Sequence, residues 1–330
     1  MKALICPSLG PVENLKVMDV ESPAAGRGEA VVSVAFAALN FFDTLIIEGK
    51  YQLKPEPPFS PAGEFSGRVV ALGPGAEGLA VGDRVMGSTG YGAAREEIAI
   101  AAERLAHVPD GLPLDKAAGL SITYGTTLHA LKQRAEIRPG ETLVVLGASG
   151  GVGLAAVEIG AVMGARVIAC ASSDDKLAFV RRYGAAETIN YAAEDLRARL
   201  KALTGGKGAD VVYDPVGGAL TEQALRSLAW KGRLLVIGFA SGEIPRPPLN
   251  LTLLKGCDIR GVYWGEFVQR EPEVHRDNMS QLLDWAEQGR LSVHIHAKYP
   301  VEEYKKAFEA IAKRHTLGKT LLQFSTAEGN

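Results

Sequence analysis

The sequence predicts an α/β protein in two parts: a β-rich domain drawn from both chain ends, and a doubly wound parallel sheet inserted between them. Three observations carry that reading. Short apolar runs broken by Gly and Pro fill the first third of the chain, as strands and tight turns do. From Glu141 onward, strand-like apolar runs alternate with runs of helical period, the pattern of parallel strands with crossover helices. After Tyr263 the sheet already has its complement of strands, so the remaining elements are expected to rejoin the first domain. The predicted division is 1–122 with 264–330 against 123–263.

In the first part, strands are expected at Ala30–Ala38, Gly67–Leu72, Arg84–Met86 and Glu97–Ile100. Turn clusters such as Pro55-Glu-Pro-Pro58 and Gly73-Pro-Gly75 separate them, and together they suggest a partly open barrel. Near Asp115 the period becomes helical, through Leu120, Leu128 and Leu131. The sheet is then read as Thr142–Leu146, helix 151–163, Arg166–Cys170, helix 174–183, Val211–Tyr213, helix 219–229, Arg233–Ile237 and Ile259–Tyr263. A helix near Asn278–Gln288, a strand near Val293–Ala297, a helix Val301–Lys313 and a strand Lys319–Phe324 complete the chain.

At 330 residues, two domains are the natural expectation. Lys and Arg total 36 against 38 Asp and Glu, and no basic run recruits nucleic acid or an anionic membrane. Uncharged stretches such as Ala30–Phe42 are too short to span a bilayer, and the N-terminal residues do not read as a signal peptide. Cys6, Cys170 and Cys257 are odd in number and far apart. They suit a reducing, cytoplasmic compartment rather than a disulfide framework.

The most specific segment is Thr142-Leu-Val-Val-Leu-Gly147-Ala148-Ser149-Gly150-Gly151-Val152-Gly153-Leu-Ala-Ala-Val157. An apolar strand enters a Gly-rich turn and an amphipathic helix leaves it, the unit that holds a dinucleotide pyrophosphate. Glycines let the backbone approach the phosphates, and the N–H groups of the helix start meet their charge. G-x-G-x-x-G aligns with Ala148-x-Gly150-x-x-Gly153, so alanine takes the first glycine position.

Further motifs surround this turn: Ala37-Ala-Leu-Asn40-Phe-Phe-Asp43, Pro61-Ala-Gly63-Glu64-Phe-Ser-Gly67 and Val81-Gly82-Asp83-Arg84-Val85, then Thr123-Tyr124-Gly125-Thr126-Thr127 and Asp214-Pro-Val-Gly-Gly218. In order and spacing the chain resembles the medium-chain dehydrogenase/reductase superfamily, and within it the zinc-free quinone oxidoreductase branch. The resemblance implies a GroES-like catalytic domain, a Rossmann domain, NADPH and a homodimer. In the zinc alcohol dehydrogenases a Cys stands at the place of Asn40 and a His at the place of Gly63. Asn and Gly cannot supply those ligands. Met86 to Ala102 has no cysteine, so the structural zinc lobe is missing too. Without a Lewis acid, hydride delivery to an already polarised enone or quinone is easier than alcohol oxidation.

By resemblance, Asn40 and Asp43 lie near the nicotinamide in a loop after a strand, although Asn and Asp are also ordinary turn residues. Tyr51 matches a tyrosine beside the nicotinamide, where it would donate a hydrogen bond or the final proton; otherwise it is a loop aromatic. Another family tyrosine is Leu45 here, which makes the pocket more apolar. Thr127, Ser149, Gly150, Gly151, Val152 and Gly153 are assigned to the cofactor. So are Gly238, Phe239 and Ala240 after strand Leu234–Ile237, whose backbone would meet the carboxamide. Tyr263 and Trp264, at the end of the last strand, are also assigned to the cofactor site, where they either flank a flat substrate or pack an interface. His294-x-His296 offers two imidazoles without a third ligand, and is read as surface.

NAD-specific sheets carry an acid at the end of the second strand. Here that strand ends Cys170-Ala-Ser172-Ser173. By resemblance Ser172, Lys176, Tyr191 and Arg314 surround a 2′-phosphate. Asp174 and Asp175 either reach the ribose or cap the helix that starts there. The expected function is NADPH-dependent reduction of a small quinone or α,β-unsaturated carbonyl. The alternatives are a 2-enoyl thioester reductase and an NADPH-binding protein with little turnover.

Overall fold

The computed structural model describes residues 1–324 and separates into two compact units. The first comprises Met1–Ile122, Met279–Gly289 and, among the described residues, 293–324; the second comprises Thr123–Asn278 and Arg290–Ser292.

In the second unit six strands are all parallel. Across the sheet they run Glu187–Asn190, Arg166–Ala171, Thr142–Val145, Ala209–Asp214, Leu228–Val236 and Asp258–Gly261. In chain order within the sheet this is 3-2-1-4-5-6, the doubly wound Rossmann arrangement. The strand Thr142–Val145 is buried along its length, as a central parallel strand covered by helices on both faces must be. The order reverses between Thr142–Val145 and Ala209–Asp214, and ligands of such sheets bind outside the carboxyl ends at this point.

In the first unit a long apolar strand, Glu29–Leu39, organises an antiparallel sheet. Its first half pairs with Glu97–Ala101, its second half with Lys319–Gln323, and Glu64–Leu72 lies along the other side. Ile295–Pro300 joins in parallel beyond Lys319–Gln323. The C-terminal strands therefore do rejoin the N-terminal domain. The sheet closes over a core that includes Leu4, Val32, Phe65, Val85 and Phe308.

Three differences from the sequence reading have physical causes. The strand Glu187–Asn190 went unread because only its last two residues are buried, which leaves little apolar signal. Trp264–Asn278 cluster with the second unit rather than the first; Phe267 of helix Trp264–Arg270 stacks on His129 at 3.8 Å between ring centres. Asn40 and Asp43 are not in a loop. They are the N-cap and third residue of helix Phe41–Ile47, where the Asp43 carboxylate accepts the Asn40 N–H at 2.7 Å, one half of a capping box.

Candidate active site

The Gly-rich turn joins strand Thr142–Val145 to helix Gly151–Val162, with Gly150 as N-cap. Each glycine has its own reason. A Cβ on Gly153 would sit 2.2 Å from Gly147 O and 2.9 Å from Ala148 Cα, so only glycine lets the helix pack on the turn. A Cβ on Gly150 would meet nothing nearer than Gly147 O at 3.6 Å, so that face of the turn is open. Gly147 takes φ +59°, a conformation costly for other residues. The tight-turn role thus falls to Gly147, one position before the alanine that the motif alignment had put in that place. No side chain caps the helix, which suits N–H groups meant for an anion. Gly150, Gly151 and Val152 are partly exposed, whereas Ser149 is buried.

At the end of strand Arg166–Ala171, Ser172 is exposed and the Lys176 ammonium lies 3.4 Å from its hydroxyl. The Tyr191 N–H donates to Ala171 O at 3.1 Å, which brings Tyr191 to the same strand tip. Ser173, not an aspartate, caps helix Asp174–Arg181. Asp174 Oδ1 accepts the Asn190 amide at 2.9 Å. Arg314 belongs to the first unit and takes φ +56° just after helix Tyr304–Ala312.

One expected cofactor contact is corrected. Thr127 is fully buried; its hydroxyl donates to Thr123 O (2.8 Å) and lies 2.9 Å from the Tyr213 hydroxyl, so it braces the helix beneath the turn instead of facing a ligand. The Ala240 N–H donates to Pro215 O at 3.0 Å. Gly238 and Phe239 are half-buried in the same loop, and Phe239 lies against Gly217. Asp214 holds the facing loop through the N–H groups of Val216 and Gly217 and the Thr221 hydroxyl. Tyr263 is exposed, and Trp264 meets the edge of His275.

In the first unit the residues around Asn40 form a buried polar set. Lys319 Nζ donates to Asn40 Oδ1 (2.6 Å) and Glu64 Oε1 (2.7 Å), and Asn40 Nδ2 donates to the same Glu64 oxygen at 3.0 Å. Glu64 Oε2 accepts the Ile122 N–H at 2.7 Å. Burial pushes the Asp43 carboxyl up to about 7, against the opposing pull of the Asn40 N–H and of Lys319. Asp43 is only 1% exposed, so it supports Asn40 and does not meet a ligand. A Cβ on Gly63 would crowd Gly90 O and Ile122 Cδ1 at 3.0 Å and Phe42 Cζ at 3.1 Å. Phe42 in turn stacks on Tyr51, with ring centres 5.3 Å apart. Tyr51 is therefore separated from the Gly63 position by the Phe42 ring.

Sequence reasoning missed Lys319. Its signal was a lone charge at the start of the apolar run Thr320-Leu-Leu. Among the described residues, no three His, Cys, Asp or Glu side chains gather as a metal site, and no helix is long and apolar enough to cross a membrane.

A GroES-like sheet with a Rossmann unit, a Gly-rich turn and a polar set around Asn40 defines a medium-chain dehydrogenase/reductase. Residues 26–110 match the alcohol dehydrogenase GroES-like domain model, and 151–288 match the zinc-binding dehydrogenase model. A quinone oxidoreductase-like protein 2 homolog of Nematostella vectensis is 39% identical over 97% of this chain and 88% of its own length. A quinone oxidoreductase of Pseudomonas aeruginosa is 34% identical over 95% and 96%. The solved structure of Escherichia coli quinone oxidoreductase complexed with NADPH superposes with a TM-score of 0.91 at 29% identity, over 98% of this chain and all of that one. The chain belongs to the quinone oxidoreductase family.

Proposed function

We propose that this protein is a zinc-independent, NADPH-dependent reductase of a small quinone or α,β-unsaturated carbonyl. The observation that carries the zinc-independent reading is the occupation of Asn40. Its amide is held by Lys319 and Glu64, and Gly63 beside it has no side chain to offer a metal. The turn fits a dinucleotide, because Gly150 leaves its face open while Gly153 keeps the helix close. NADPH, when bound, supplies the hydride. The chain's part is to hold the pyrophosphate on the N–H groups of residues 151–153, at the start of the helix, and the 2′-phosphate on Ser172, Lys176 and Tyr191. Asn40 retains one amide hydrogen for a ligand. Tyr51 donates a hydrogen bond, or the proton, to the oxygen that gains charge, a role usually contributing about 10²-fold or more.

The test is a substrate panel of quinones, enones and 2-enoyl-CoA thioesters scored by NADPH oxidation, with metal analysis of the active protein. Turnover of quinones or enones without stoichiometric zinc is expected. Turnover confined to the thioesters, or zinc whose chelation abolishes activity, overturns the assignment.

We further infer a homodimer through the sheet edge Asp258–Gly261. Among the described residues that strand has one unpaired edge, a template for strand addition. The exposed apolar residues Trp230, Leu249, Leu253 and Leu254 belong to the elements around it, and such patches mark interfaces. The buried, unpaired thiols of Cys6, Cys170 and Cys257 support a reducing, cytoplasmic setting.

A further inference from the structure

The acid that binds a ribose in NAD-specific sheets stands about 20 residues after the Gly-rich turn. Asp174 is 21 residues after Gly153, is exposed, and opens the helix at the tip of strand Arg166–Ala171. By this spacing it matches the ribose-binding acid of an NAD enzyme, although it stands past the last strand residue, Ala171, and Lys176 two residues later argues the opposite preference. Asn190 resolves the conflict. Its Nδ2 donates to Asp174 Oδ1 at 2.9 Å. The Asn190 amide cannot turn over without loss, because its Oδ1 accepts the Ala192 N–H at 3.1 Å. Its backbone N–H is bound by Glu194 Oε1 at 3.0 Å. Asn190 is only 8% exposed and lies opposite Ala171 in the sheet register. A fixed donor is therefore aimed at Asp174 from the neighbouring strand.

We propose that Asn190 is a positioning residue for cofactor choice: it draws the Asp174 carboxylate toward the outer strand, leaving the strand tip to Ser172, Lys176 and Tyr191 and hence to a 2′-phosphate. This inference rests on the NADPH reading. Specificity is a difference of two affinities, and removing a competing interaction serves it as well as adding a favourable one.

The test is the ratio of NADH to NADPH dissociation constants, measured by titration calorimetry on the full chain, with circular dichroism as the check of folding. N190D is isosteric and keeps the oxygen that accepts from Ala192, but it removes the donor and sets a carboxylate against Asp174. It is expected to lower the preference for NADPH at least tenfold. The exchange N190D/D174N restores the hydrogen bond in reverse with unchanged net charge, and should return the ratio to within fivefold of the wild type. D174N alone should move it less than fivefold. An unchanged ratio in N190D, or an exchange that restores nothing, overturns the role of Asn190. If N190D does not fold, D174N still decides: a shift above tenfold means that Asp174 already faces the ribose. A wild-type chain that binds NADH as tightly as NADPH overturns instead the NADPH reading beneath it.

Discussion

Lys319 Nζ lies 2.7 Å from Glu64 Oε1, with both side chains shut off from water. Removing one member of a buried pair strands the other charge, at a cost of about 3–5 kcal/mol. Lys319→Met is therefore expected to destabilise the first unit by about that amount. Lys319→Met combined with Glu64→Gln should lose less than Lys319→Met alone, because no net charge is left buried. Denaturant unfolding of the three proteins checks this; a double variant less stable than the single would show that packing, not charge, holds the set.

Asp43 gives the fold a pH dependence with a definite sign. Burial is the main cause that raises its carboxyl from the usual carboxylate range to about 7. The folded state therefore holds a proton that the unfolded state releases near pH 4, and stability falls as pH rises from about 4 to about 7. Asp43→Asn should flatten that slope and leave stability nearly level between pH 5 and pH 8. A wild-type slope that survives the substitution would assign the dependence to another group.

Gly150 and Gly153 should separate binding from folding. Gly153→Ala forces a Cβ to 2.2 Å from Gly147 O, and overpacking of this kind costs about 1–3 kcal/mol or more. Gly150→Ala has room and an ordinary φ of −77°, so it should fold as the wild type does. Its methyl group would occupy the open face of the turn and weaken dinucleotide binding about tenfold. Melting temperatures and cofactor titrations distinguish the two.

Tyr51→Phe keeps the ring stacked on Phe42 and removes only the hydroxyl. The variant should melt with the wild type and lose about 10²-fold in kcat if the hydroxyl supplies the proton. A loss of only a few-fold would assign the proton to water. Unchanged kinetics with both a quinone and an enone would remove Tyr51 from the site.

The parallel sheet was legible because its central strands are buried on both faces and read as unbroken apolar runs, as at Thr142–Val145. The edge strand Glu187–Asn190 lacked that signal. The turn was legible as a motif, but its division of labour was not: that Gly147 makes the turn while Gly150 leaves space depends on φ values and near contacts. Asn40 was singled out by resemblance, yet its partner Lys319 is 279 residues away, a distance no local pattern spans. Thr127 was placed near the right turn but on its inner side, where Tyr213 engages it.

The crowding at Gly63 bears on how this site can change over time. A histidine there would need Gly90 O, Ile122 and Phe42 to yield together. A cysteine in place of Asn40 would leave both Lys319 and Glu64 short of a partner. Each step toward a metal centre thus disrupts the existing packing or hydrogen bonding before any ligand set is complete. Asn40, Gly63 and Lys319 would have to change in concert, so single substitutions offer no gradual route to a metal site at this place.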